Sequence, residues 1–122
     1  MKKSNILFID DEIVLASKIK QILELEEYIV HYESSAITAL EYLKNHVPNL
    51  IICDIMMPEM DGFEFYYEIQ KTTLKAIPFV FLSANNNFAN AAVKINLCAE
   101  DCLTKPISRK DLLNAIVVKL KK

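Results

Sequence analysis

The chain has 122 residues, a formal net charge of −2 and an apolar fraction of 52%. That length fits one domain with an ordinary core, and no apolar run approaches the roughly 18 to 20 residues that a membrane-spanning helix needs. The slight negative balance gives no broad basic footprint with which to grip nucleic acid, so direct nucleic-acid binding and membrane insertion are not expected.

The opening Met1-Lys2-Lys3-Ser4-Asn5 runs straight into a short apolar strand rather than the apolar core of a signal peptide, so a cytoplasmic location is expected. Ile6 to Ile9 forms that strand and ends on Asp10-Asp11-Glu12. A helix follows, with Leu15, Ile19, Ile22 and Leu23 on one face at helical spacing. Tyr28 to Tyr32 reads as a short second strand near a sheet edge. Ser34 or Ser35 caps the next helix, whose apolar face is Ala36, Leu40 and Leu43.

After a loop containing Pro48, Leu50-Ile51-Ile52-Cys53 is an unbroken apolar run, the pattern of a parallel strand covered on both faces, and it stops on Asp54. Pro58 blocks simple continuation, and Asp61, with Gly62 beside it, caps a third helix running to about Lys71 with Phe65 and Ile69 inward. Ile77 to Leu82 is a fourth strand ending on Ser83. Asn85-Asn86-Asn87 is a turn before a weak helical face of Phe88, Ala91, Ala92 and Ile95. Ala99 to Leu103 is a fifth strand ending at Thr104-Lys105-Pro106. Ser108 caps a last helix with Leu112, Leu113, Ile116, Val117 and Leu120 inward, and Lys119, Lys121 and Lys122 complement its carboxyl end.

Strict alternation of strand and helix with short connections predicts one α/β domain over residues 1–122, with a core from about 5 to 120. The expected architecture is a doubly wound, flavodoxin-like parallel sheet in the order 2-1-3-4-5. In that order the first and third strands are neighbours, which brings Asp10 and Asp11 beside Asp54. At an effective dielectric near 20, unit charges about 4 Å apart repel by roughly 4 kcal/mol, so either a pKa rises or a cation binds. Oxygen-only donors favour a hard ion such as Mg²⁺ or Mn²⁺. Capping of the first helix explains at most one of the two aspartates and leaves Asp54 unaccounted for.

Ser83 and Lys105 follow strands at the same edge. A hydroxyl, an ammonium and a metal around one carboxylate suit phosphoryl transfer, with Asp54 as nucleophile. The three cysteines, Cys53, Cys98 and Cys102, form no CxxC pair and have no histidine at metal-ligand spacing, so Cys53 reads as a small buried hydrophobe. His31 and His46 lie away from the acidic edge, and spacing gives them no partner.

Taken together, Asp10-Asp11, Asp54, Met57-Pro58-Glu59-Met60-Asp61-Gly62, Ser83 and Lys105-Pro106 resemble the receiver domain of two-component response regulators, over about Asn5 to Leu120. The resemblance implies phosphorylation of Asp54 by a phosphohistidine on a histidine kinase or histidine phosphotransfer protein. It implies Mg²⁺ held by Asp11 directly, by Asp10 partly through water, by Asp54 and by the Met56 backbone carbonyl. Lys105 would pair with the phosphoryl group, Ser83 would hydrogen-bond it, and a cis peptide would precede Pro106. The output would pass through the face of the fourth helix, fifth strand and last helix to an output domain or effector whose type the sequence does not name, and that face could also form a homodimer.

The chain departs from the family pattern at Cys102, where an aromatic ring that changes orientation is common. A thiol cannot sweep out the volume of a ring, so a smaller or differently carried switch is expected. Cys98 replaces a frequent glycine. Met56 and Asn85 would flank the phosphoryl group, and the apolar Met56 has no group to align water, which predicts a longer-lived phosphoryl state.

An alternative reading keeps the fold as a phosphorylation-independent interaction module, a pseudo-receiver. A phosphatase of the haloacid dehalogenase type would need an acid where Met56 stands, so turnover of external substrates is not expected. A flavodoxin-like cofactor carrier is disfavoured because Asp10-Asp11-Glu12 would repel a phosphate.

Overall fold

The structure, a computed structural model, describes residues 4–83 and 102–121. Within them β1 (Asn5–Ile9), α1 (Ile13–Leu25), β2 (Ile29–Glu33), α2 (Ala36–Leu43), β3 (Leu50–Asp54), α3 (Gly62–Gln70), β4 (Phe79–Ser83), β5 (Cys102–Thr104) and α4 (Arg109–Leu120) follow one another. The strands form one parallel sheet in the order β2-β1-β3-β4-β5, the order expected from alternation. The predicted Asn85-Asn87 turn, the helix over 88–95, Cys98 and the first residues of the predicted fifth strand lie outside the described residues.

Successive strand residues face opposite sides, so the apolar runs of β1, β3 and β4 feed two cores at once. Leu7, Ile9, Ile51, Cys53, Phe79 and Phe81 pack against Ala36, Ala39 and Leu43 of α2 and Phe65 and Ile69 of α3. On the opposite face Ile6, Phe8, Leu50, Ile52, Val80 and Leu82 meet Ala16, Ile19 and Leu23 of α1 and Leu112 and Ile116 of α4. Each fully buried ring, such as Phe8, Phe65 or Phe81, contributes about 1.5 to 3 kcal/mol relative to exposure.

Local chemistry sets the helix ends. Ser35 caps α2 by accepting from the Thr38 amide, and Ser108 caps α4 by accepting from the Asp111 amide. Asp61 and Glu64 form a reciprocal capping box at the start of α3. At the end of α1 the Tyr28 amide donates to the Leu23 carbonyl and the Glu27 amide to that of Glu24, a Schellman closure. Glu27 occupies its left-handed position at φ 69°, where glycine would carry no steric cost.

Several sequence expectations shift. Val117 was expected inward but is 42% exposed, because Leu112 and Ile116 already define the buried stripe and Val117 is turned about 100° from Ile116. In α1 the small Ala16 takes a core position while Leu15 and Ile22 sit at the rim. In α2 Ala39 is buried and Leu40 is only partly so. β4 begins at Phe79 rather than Ile77: the Pro78 carbonyl accepts from the Ile51 amide, but proline has no N–H to continue the ladder.

Candidate functional site

Among the described residues the buried polar or charged ones are Asp10, Asp54 and Ser83, and all three stand at the carboxyl ends of strands on one edge of the sheet. The pairing Ile9↔Cys53 places Asp10 beside Asp54, while Asp54↔Leu82 and Ser83↔Thr104 align β4 and β5 with them. The Ile55 amide continues the pairing by donating to the Leu82 carbonyl at 3.0 Å, and the Lys105 amide donates to the Ser83 carbonyl at 2.7 Å. Asp54 and Ser83 therefore end strands in which every residue is buried.

The loop after β3 is clamped to the sheet. The Gly62 amide donates to the Ile55 carbonyl at 2.8 Å, bringing the start of α3 against the strand end. A Cβ on Gly62 would lie 2.5 Å from the Asp54 carbonyl oxygen and 2.9 Å from the Ile55 Cα, so only glycine fits. Within the loop Met57 is buried, Pro58 and Met56 are exposed, and Glu59 has a positive φ of 70°.

Lys105 reaches across from the end of β5. Its ammonium donates to Asp10 Oδ2 at 2.9 Å and to Glu12 Oε1 at 3.1 Å, and lies 3.7 Å from Asp54 Oδ1. Asp10 Oδ1 accepts from the Glu12 amide at 2.9 Å, and the Asp10 carbonyl accepts from the Tyr32 hydroxyl. The Lys105–Pro106 peptide is cis.

Electrostatics follow from this packing. Burial first, then the charge of Asp10, raises the Asp54 carboxyl; Lys105 opposes the rise, and Asp11 adds to it by charge and by a hydrogen bond, leaving Asp54 pushed up to about 7. Burial works against the charge of Lys105, but its bonds to Asp10 and Glu12 and the nearby Asp54 outweigh it and hold its pKa above the ordinary lysine value. Burial pushes Cys102 up to about 11 and Cys53 well above the ordinary thiol range, so neither is an activated nucleophile.

Of the residues singled out from sequence, Asp10, Asp54 and Lys105 meet directly, and Asp11, itself exposed, stands near enough to raise the Asp54 carboxyl but outside the group formed by Asp10, Glu12 and Asp54. Ser83 ends the neighbouring strand, and Cys102 is buried in register with Phe81. The Met56 side chain is 68% exposed beside the site. Sequence reasoning gave His31 and His46 no partner. The structure supplies one: their rings stack on either face of Tyr42 at 3.8 and 4.2 Å, and His31 also pairs with Glu33.

Glu12 is the residue that sequence reasoning missed. Its carboxylate joins those of Asp10 and Asp54 in a group of oxygens within 4.8 Å of one another. The signal was available in the run Asp10-Asp11-Glu12, because residues two apart in an extended exit face the same side. Such an oxygen-only set, around an aspartate whose charge is resisted by its surroundings, fits a hard divalent cation.

A family model described as the response regulator receiver domain matches residues 6–117. The transcriptional regulatory protein CpxR homolog of Haemophilus influenzae is 33% identical over 113 residues, covering 93% of this chain and 48% of that protein. The chain spans about half the length of the curated relatives it matches. Among solved structures, a response regulator receiver domain protein from Clostridium thermocellum is 29% identical with a TM-score of 0.85, covering 97% of this chain and 94% of its own. The receiver domain of the sensor histidine kinase PA1611 from Pseudomonas aeruginosa, described with a magnesium ion coordinated in its active-site cleft, shares the fold at a TM-score of 0.88 and 22% identity, over 99% of this chain and 100% of its own.

Proposed function

The chain belongs to the response regulator receiver domain family, and from that premise we propose that Asp54 is its phosphoacceptor, served by a phosphohistidine on a histidine kinase or histidine phosphotransfer protein. An Asp54 carboxylate oxygen attacks the phosphorus and a P–O bond forms. The P–N bond of the phosphohistidine breaks, its electron pair stays on the imidazole nitrogen, and that nitrogen takes up a proton from solvent. Water later attacks the phosphorus, the P–O bond to Asp54 breaks, and the carboxylate and inorganic phosphate are released. No external substrate is turned over.

The observation that carries this reading is the Lys105 ammonium, on a side chain only 8% exposed, reaching toward Asp54 at the edge where the buried polar residues among those described gather. Asp10, Asp54 and Asp11, with the Met56 carbonyl, would hold Mg²⁺. A bound Mg²⁺ supplies charge neutralisation for the phosphoryl oxygens and favours the ionised form of Asp54. Lys105 pairs with the phosphoryl group, and Ser83 hydrogen-bonds it from the end of β4. Pro58 and Gly62 shape the loop that presents Asp54, and Pro106 directs the chain away after Lys105.

Ser83 and Cys102 begin the route outward. Cys102 is buried in register with Phe81, whose ring stacks on Phe79 and tilts against Phe63, and a thiol cannot sweep out the volume of a ring there, so the switch is smaller or differently carried. The signal passes to an output domain or effector protein through the β5 and α4 side, which is also the surface for any homodimer. Among the described residues no helix is long and apolar enough to cross a membrane; a cytoplasmic location follows instead from the proposed exchange with a histidine kinase. Treatment with acetyl phosphate and Mg²⁺ should add the mass of one phosphoryl group, and the gain should vanish in Asp54→Ala. Failure of the unaltered protein to gain mass would favour the interaction-module reading.

A further inference from the structure

The Lys105 ammonium is held by two carboxylates of opposite character. Asp10 is fully buried, with its second oxygen fixed by the Glu12 amide, so it cannot turn away. Glu12 is 60% exposed and can release its oxygen to water at little cost. Between them they keep the ammonium 3.7 Å from Asp54 Oδ1, beyond hydrogen-bond distance.

We propose that Glu12 is a positioning residue that stores the Lys105 ammonium toward the mouth of the site until a phosphoryl group on Asp54 claims it. The proposal rests on the phosphoacceptor reading of Asp54 and adds the identity of the arm that lets go. An anionic group on Asp54 extends toward the ammonium and competes for it, and the solvated carboxylate yields before the buried one. Glu12 thereby sets how readily the phosphorylated arrangement of Lys105 is reached, acting only through the lysine.

The clasp has a readout that needs no phosphoryl group. In the metal-free protein the Lys105 ammonium protons should exchange slowly with water in ¹⁵Nζ-detected spectra, and Glu12→Gln should speed that exchange severalfold. Unchanged exchange overturns the proposal. In saturating Mg²⁺, Glu12→Gln should tighten beryllofluoride binding by about fivefold, the upper worth of a partly exposed ion pair, and the same substitution in a Lys105→Met background should leave affinity unchanged. An equal effect in both backgrounds shows that Glu12 acts by bulk charge or as a metal ligand and overturns the proposal. An unaltered protein with a protected ammonium but no affinity for beryllofluoride overturns the phosphoacceptor reading instead, so the two failures are distinguishable.

Discussion

Replacing Asp54 by asparagine should stabilise the metal-free protein, and the gain should depend on pH. Asp54 is 3% exposed, and its carboxyl is raised from the ordinary 3.8 to about 7 by burial and by the charge of Asp10. A group whose pKa is higher folded than unfolded holds its proton more tightly in the native state. Its contribution is therefore most favourable below the unfolded value, falls as pH climbs from about 4 to about 7, and is fully lost above. A rise of that size corresponds to about 4 kcal/mol, an upper figure because a native state relaxes around a buried charge. Asparagine keeps the shape and carries no charge at any pH. Urea unfolding followed by circular dichroism in a chelating buffer should show Asp54→Asn more stable by roughly 2 to 4 kcal/mol near pH 8, with the gap closing toward pH 4. An equal gap at both ends of the range, or a less stable variant near pH 8, would refute the electrostatic reasoning.

Three further substitutions probe the framework. Gly62→Ala places a methyl group against the backbone of Asp54 and Ile55, and should cost about 1 to 3 kcal/mol in urea unfolding as the loop shifts. Glu27→Gly relieves a left-handed position at the end of α1 and should raise stability by about 1 kcal/mol, measured the same way. Met56→Asn offers an amide beside the phosphoryl site where the natural side chain is 68% exposed and apolar. It should shorten the half-life of the phosphorylated protein about fivefold, the worth of one modest hydrogen bond aligning water; a half-life no shorter than that of the unaltered protein would reject that role.

The legible parts of this fold are those where one residue type admits one environment. Leu50-Ile51-Ile52-Cys53 leaves no polar face, so β3 had to be covered on both sides, and Asp54 at its end had to be explained by its neighbours. Ser35, Asp61 and Ser108 cap their helices as their side chains allow. Strand order followed from alternation, and with it the meeting of Asp10 and Asp54.

What sequence missed is side-chain reach and small differences in helix rotation. The run Asp10-Asp11-Glu12 places Glu12 at the acidic edge, but its hold on the Lys105 ammonium is a contact across 93 residues that spacing does not encode. Val117 resembles core by its apolar side chain, but the buried stripe of α4 runs through Leu112 and Ile116, about 100° away around the helix. The stacking of His31 and His46 on Tyr42 joins β2 to α2 through ring orientation, which residue spacing does not encode.

Borohydride reduces an aspartyl phosphate to homoserine, so reduction after phosphorylation with acetyl phosphate and Mg²⁺, followed by peptide mapping, locates the acyl phosphate directly. Homoserine should appear at position 54 and nowhere else. Homoserine at position 10 or 11, reduction of Glu12 instead, or no reduced residue in a protein that has gained mass, would contradict it.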